Sequence, residues 1–152
     1  MTKPIRARFR ELAEPECRAL LSRHHVGRMA YTFRDRVDIA PIHYYFDDGW
    51  LYGRTALGRK LEIVKHNRWV AFQVDEVDGP FDWRSVVVKG GLYLLRPDGS
   101  EEEVLLHAHA LKLMRAVTPE ALTAEDPAPG REILFRIHLD EVSGRSSSSK
   151  GL

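Results

Sequence analysis

The 152-residue sequence has one cysteine, Cys17, which excludes an internal disulfide and any multi-cysteine metal cluster and suits a reducing cytoplasm. No apolar run approaches the roughly 20 residues of a membrane-spanning helix. The basic stretch from Met1 to Arg10 lacks the apolar core of a signal peptide. An excess of one charge is missing too: 23 Lys and Arg face 22 Asp and Glu, a net +1, so the electrostatic footprint of a dedicated nucleic-acid binder is absent. No His-x-x-x-His, Cys-x-x-Cys or paired-carboxylate pattern occurs, which leaves zinc hydrolysis without support. What is there, 43% hydrophobic and 30% charged residues, matches an ordinary globular domain. The expectation is one cytoplasmic domain over residues 1–145, followed by a disordered serine-rich tail, 146–152.

Hydrophobic spacing divides the chain into elements. Residues 11–24 predict a helix whose apolar side carries Leu12, Cys17, Leu20 and Leu21. Cys17 on that side is expected to be an inert buried thiol. Strands are expected at 26–33, 37–46 and about 50–54. Arg34-Asp35-Arg36 forms a polar turn, and Asp47-Asp48-Gly49 a hairpin turn, because Asp and Gly tolerate positive φ. Pro41 cannot donate to a ladder, so its strand should be an edge, bent or bulged there. Residues 56–68 predict an amphipathic helix on Leu57, Leu61 and Val64 with Thr55 as its N-cap. Strands follow at 69–74, at 83–95 with a bulge or sharp bend at Gly90-Gly91, and at 132–139. A helix spans 101–117, and the Pro-rich stretch 119–130 is a loop. The sum is an α+β chain, mainly β: a six-stranded antiparallel split barrel with peripheral helices.

Chemistry concentrates at Gly53-Arg54-Thr55-Ala56-Leu57-Gly58-Arg59-Lys60, where a strand meets a helix start. Helix N-termini attract anions, and cations in a first turn are normally unfavourable there. Arg54, Arg59 and Lys60 gathered at that end point to a bound phosphate, which would turn repulsion into charge-assisted hydrogen bonds. The alternative is a solvated basic face running on to Lys65 and Arg68. The glycine spacing skirts a phosphate-binding P-loop, but Arg59 replaces its lysine and no Ser or Thr follows. Among the histidines, His107 and His109 point to opposite sides of their helix and cannot share an ion. His43 lies on one strand face with Pro41 and Tyr45, where it either contacts a ligand or packs in the core. Trp50, Trp69 and Trp83, with Tyr44, Tyr45 and Tyr52, could stack on a planar ligand or serve a core or dimer interface.

Four stretches, ECRALLSRHHVGRMAY, VDIAPIHYYFDDGWLYGRT, GRKLEIVKHNRWVAFQV and WRSVVVKGG, together resemble the FMN-binding split-barrel superfamily. The likeness is to the pyridoxamine 5′-phosphate oxidase-like proteins and their Nim-type nitroimidazole-resistance branch, over about residues 16 to 95. The resemblance implies FMN as cofactor, with FAD or a deazaflavin coenzyme as alternatives. It implies that Pro41, Ile42, His43 and Tyr44 lie beside the isoalloxazine ring and that Arg54, Thr55, Arg59 and Lys60 hold the phosphate. Arg84-Ser85-Val86 resembles an Arg-Gln-Val stretch of the oxidase, with Ser85 in place of the flavin-contacting Gln, so Arg84 is the better donor. A homodimer with the cofactor between subunits is implied as well. Two departures matter. Arg131 to Arg145 holds no counterpart of the oxidase's pyridoxal-phosphate-contacting segment, and Arg54 stands near a position where Nim-type proteins often carry His. The implied function is flavin-mediated oxidoreduction of an unidentified small molecule, such as a nitroaromatic; the alternative is a non-catalytic flavin or deazaflavin carrier.

Overall fold

The computed structural model describes residues 4–56 and 67–149. Its elements in chain order are β1 (Arg8–Leu12), α1 (Glu14–Arg23), β2 (Val26–Phe33), β3 (Arg36–Asp47), β4 (Trp50–Thr55), β5 (Trp69–Gly79), β6 (Asp82–Leu94), α2 (Glu101–Val117), β7 (Ile133–His138) and β8 (Glu141–Ser148). Every strand pairing is antiparallel. The order runs β1-β8-β6-β5-β2-β3-β4-β7, and a further β6–β7 pairing closes the last six into a ring. Those six are the strands expected from hydrophobic spacing. The predicted helix over 56–68 falls almost wholly outside the described residues, and no described helix is long and apolar enough to span a membrane.

Period-two alternation fills the ring. Met29 and Tyr31 on β2, Ala40, Ile42 and Tyr44 on β3, Phe72 and Val74 on β5, Val86 and Val88 on β6, and Phe135 and Ile137 on β7 all turn inward. α1 adds Cys17, Leu20 and Leu21 to the same cluster. Burial pushes the Cys17 thiol pKa up, with Glu16 and Glu14 adding to the effect. A smaller core lies outside the ring, where α2 lays Ala110 and Met114 against Tyr52, Leu95 and Leu134. Three acids in its first turn suit the helix dipole, and the Ser100 hydroxyl accepts a hydrogen bond from the Glu103 N–H at 3.2 Å.

Closure depends on β6 changing partners. Its residues 83–89 pair with β8, whereas 92–94 pair with β7, and the bend falls at Gly90-Gly91 as expected. A side chain at Gly90 would overlap the His138 carbonyl, and the Gly91 N–H donates to Asp140 at 3.1 Å. Both early hairpins use two-residue loops with positive φ: Arg34 and Asp35 at 49° and 62°, Asp48 and Gly49 at 45° and 81°.

Two strands were not anticipated. β1 pairs with β8, which also pairs with β6, so the serine run expected to be a disordered tail is strand as far as Ser148. Gly144 and Ser147 suit that place by being small. A Cβ on Gly144 would crowd Cys17 and Leu12, and the Ser147 hydroxyl donates to the Phe81 carbonyl at 2.8 Å.

Candidate functional site

Pro41 occupies a strand edge. β3 pairs with β2 over Arg36–His43 but with β4 only over Tyr44–Asp47, so among the described residues no strand pairs with the other side of the first two-thirds of β3. Proline, with no N–H to donate, is tolerated there. Extending the β3–β4 register would set Thr55 opposite Ile42, at the mouth of the gap where β4 leaves β3. The topology therefore brings the Pro41–Tyr44 strand and the Thr55 corner together. Thr55 is half-buried and Ala56 exposed, while Arg59 and Lys60 lie outside the described residues.

The four β3 positions divide by face. Pro41 and His43 point outward and are exposed. Ile42 and Tyr44 point into the core, and the Tyr44 hydroxyl donates to the Leu21 carbonyl at 2.7 Å. Burial raises the Tyr44 phenol pKa well above its ordinary value. Ile42 and Tyr44 were expected to present side chains to a ligand ring. Their side chains face the core instead, and Tyr44 already pairs with Gly53 of β4, so the open edge ends at His43.

Beside Pro41 the sheet carries a polar network that sequence reading did not find. Arg28 is paired with Pro41 on one side and Gln73 on the other. The Gln73 amide donates to Asp75 at 3.1 Å and to the Ser85 hydroxyl at 2.9 Å, and Arg28 lies 3.6 Å from Asp75. Exposed Val26, Val37 and Ile39 adjoin it, so the outer face is apolar with a polar stripe. In sequence these polar residues are unremarkable outward positions on strands, and only the register assembles them.

Arg84 and Ser85 part company. Ser85 joins the Gln73 network, whereas alternation turns Arg84 to the other face, near Glu76 at 3.9 Å. Glu76 also binds Arg23 at 2.6 Å and His24 at 3.0 Å, and the Arg23 hydrogen bond lowers its pKa. Arg84 thus belongs to the charged cluster at the α1 end and lies apart from Pro41 and His43.

Arg54 is the clearest correction. Its side chain is 7% exposed and bound through two nitrogens to Asp126, at 2.5 and 2.9 Å, with a third contact to the Arg131 carbonyl at 3.3 Å. The Asp126 carboxylate, 1% exposed, also accepts the N–H groups of Leu122 and Ala128. Hydrogen bonds from Arg54 hold its pKa far below the ordinary carboxylate value. Arg54 is therefore a neutralised, buried cation that ties β4 to the 119–130 loop, and of the cations expected to hold a phosphate only Arg59 and Lys60, outside the described residues, are left unassigned.

Comparison with known proteins agrees with this architecture. An FAD-binding protein of Mesorhizobium loti superposes with a TM-score of 0.75 at 31% identity, covering 92% of this chain and 99% of that one. An FAD-binding protein of Mycobacterium smegmatis gives 0.66 at 25% identity, over 91% and 98%. A protein of Bacteroides thetaiotaomicron, provisionally assigned as a 5-nitroimidazole antibiotic resistance protein, shares the fold with a TM-score of 0.70 at 16% identity, over 93% and 89%. The family profile described as pyridoxamine 5′-phosphate oxidase matches residues 13–146. With nearly the whole chain matched, the protein belongs to the pyridoxamine 5′-phosphate oxidase-like family.

Proposed function

We propose that this protein binds a flavin nucleotide, FMN, along the open edge of β3 and serves as a cytoplasmic oxidoreductase acting on a small molecule, of the nitroaromatic kind. The observation that carries the reading is the gap between β3 and β4. It sets a strand edge with no partner strand among the described residues, flat apolar outer residues and the Thr55 corner side by side. A flavin has matching parts: a planar ring, apolar at one end and rich in hydrogen-bonding groups at the other, joined to an anionic phosphate.

In this reading the Thr55 hydroxyl, Arg59 and Lys60 hold the phosphate. The backbone of Pro41 to His43 and the His43 side chain lie along the ring. Ser85, oriented by Gln73, and Arg28 supply donors on the same outer face, whereas Arg54 fixes the strand that ends in Thr55 and Arg84 stays with Glu76. Bound flavin supplies hydride or electron transfer; the chain orients it and excludes water. Exposed Val26, Val37 and Ile39 beside the site support a homodimer in which a second copy covers both the apolar face and the cofactor.

FAD is the second reading, favoured by two FAD-binding relatives at 25% identity or more; a deazaflavin coenzyme would need the same corner. A carrier without turnover would use the same residues. Titration of purified protein with FMN and FAD tests the proposal: saturable binding is expected. Joint replacement Arg59→Ala with Lys60→Ala should weaken it by several kcal/mol, since hydrogen bonds to charged groups contribute about 1.5–3 kcal/mol each. Binding of neither nucleotide would overturn the reading. Oxidation of NAD(P)H by the loaded protein in the presence of a nitroaromatic separates enzyme from carrier.

A further inference from the structure

Across the ring from that face, β7 carries an arginine with no use in the reading above. Arg136 is in register between Tyr52 on β4 and Tyr93 on β6, on the side that α2 covers. Covering is incomplete there. Leu134 lies under the helix, but Arg136 borders a cleft of about 220 Å³ shared with Trp50, Tyr93, Leu95 and Leu106, with the exposed Arg96 and Glu103 beside them.

The chemistry of the cleft is uneven. The Arg136 guanidinium sits over Trp50, its central carbon 3.5 Å from the ring centroid. Trp50 meets Tyr93 edge-on at 6.0 Å, and the Arg68 guanidinium lies 4.8 Å above Tyr93. The Arg136 Nε is buried and has no hydrogen-bond partner among the described residues. An aromatic face offsets part of a guanidinium's lost hydration but accepts no directed hydrogen bond. A charged donor left buried without an acceptor is costly, and proteins rarely keep one without a reason. Glu103, the carboxylate of the cleft, is engaged by the Ser100 hydroxyl at 3.3 Å, and Arg96 is 3.8 Å from Asp98. Arg136, half-buried with its Nε closed to water and its guanidinium over Trp50, is thus the cation of the cleft whose donor lacks an acceptor among the described residues.

We propose that this cleft is a second small-molecule site, selective for a compact aromatic carboxylate. The carboxylate accepts hydrogen bonds from Arg136 while the ring packs against Trp50 and Tyr93. A planar guanidinium matches a carboxylate fork, and the volume suits a one- or two-ring acid and is below that of a site for a drug-sized ligand.

Benzoate and its neutral isostere benzamide are suitable probes, followed by calorimetry and by the NMR signal of the Arg136 Nε–H. A ligand of this size should bind benzoate at about millimolar Kd. Benzamide should bind roughly tenfold or more weakly, as should benzoate to Arg136→Met. Trp50→Leu should also weaken binding, and Arg136→Lys should retain part of it. Equal affinity for acid and amide, or no saturation at about ten times the expected Kd, overturns the proposal even if Arg136→Met does not fold. Adding FMN should leave the benzoate affinity unchanged, so the two sites stand or fall separately.

Discussion

Arg54 and Asp126, 72 residues apart in sequence, meet through paired hydrogen bonds beneath the 119–130 loop and share a site almost closed to water. Removing one partner from such a pair strands the other charge, whereas replacing both by apolar groups of similar volume can be nearly neutral. Arg54→Met should therefore lower Tm more than the double replacement Arg54→Met with Asp126→Leu. If the single variant is the more stable of the two, the pair is not what holds the loop to β4.

The same pair has a pH signature. The folded Asp126 pKa is depressed, chiefly by Arg54, so the unfolded chain binds more protons in acid. The stabilisation is complete above the unfolded carboxyl value of about 3.9 and is lost as pH falls through it toward the lower folded value. Glu16, held down to about 2 by Arg10, acts in the same direction at an exposed site. Thermal unfolding followed from neutral pH to about pH 2 should show Tm falling below about pH 4. Asp126→Asn should start lower at neutral pH and fall less steeply; an unchanged slope would assign the acid sensitivity to other carboxyls.

Gly90 and Gly49 are both required, for different reasons. At Gly90 the obstacle is the His138 carbonyl, a backbone atom that cannot swing aside, so Gly90→Ala should cost about 1–3 kcal/mol as overpacking. At Gly49 space is open, the nearest atom being an Arg18 nitrogen at 4.0 Å, but φ is +81°. Gly49→Ala should cost about 1–2 kcal/mol through backbone strain alone. Gly49→Asn should recover part of that loss and Gly90→Asn none; urea unfolding of the four variants distinguishes the two mechanisms.

The ring was legible because most of its strands write burial into alternate residues, as in Val70, Phe72 and Val74 of β5, although β4 is buried continuously from Leu51 to Arg54. β1 and β8 carry no such record. In β1 only Leu12 is buried, and in β8 the buried positions are Gly144 and Ser147, which fit because they are small. Their order comes from pairing between chain ends, which local hydrophobic spacing cannot report. The candidate site divides in the same way. Pro41 announces an edge by its missing N–H, but its meeting with Thr55 depends on register. The sign of Arg54 suggested a ligand, while its partner Asp126 lay in a loop with no pattern to connect them.

Hydrogen exchange can check β8. With β1 on one side and β6 on the other, the amides of Ser146 and Ser147 lie inside a three-strand ladder. They should exchange far more slowly than unpaired serines, and Leu12→Ala, which removes the buried anchor of β1, should speed the exchange at Ser146 and Ser147 more than at Val86. Rapid exchange of the serine run in the unaltered protein would restore the expectation of a disordered tail.

The apolar outer face gives the last test. Ile39 is 62% exposed, so Ile39→Glu should alter the stability of the isolated chain by no more than about 0.5 kcal/mol. In a dimer that covers this face, two carboxylates would be buried near each other without partners, a far larger penalty. Light scattering of the unaltered protein should give twice the chain mass, and Ile39→Glu should shift it toward one. Flavin affinity should fall in the same variant if, as proposed, a second copy closes the groove beside Pro41. A variant that stays dimeric places the interface elsewhere. One that becomes monomeric yet keeps full flavin affinity shows that each chain binds its cofactor unaided.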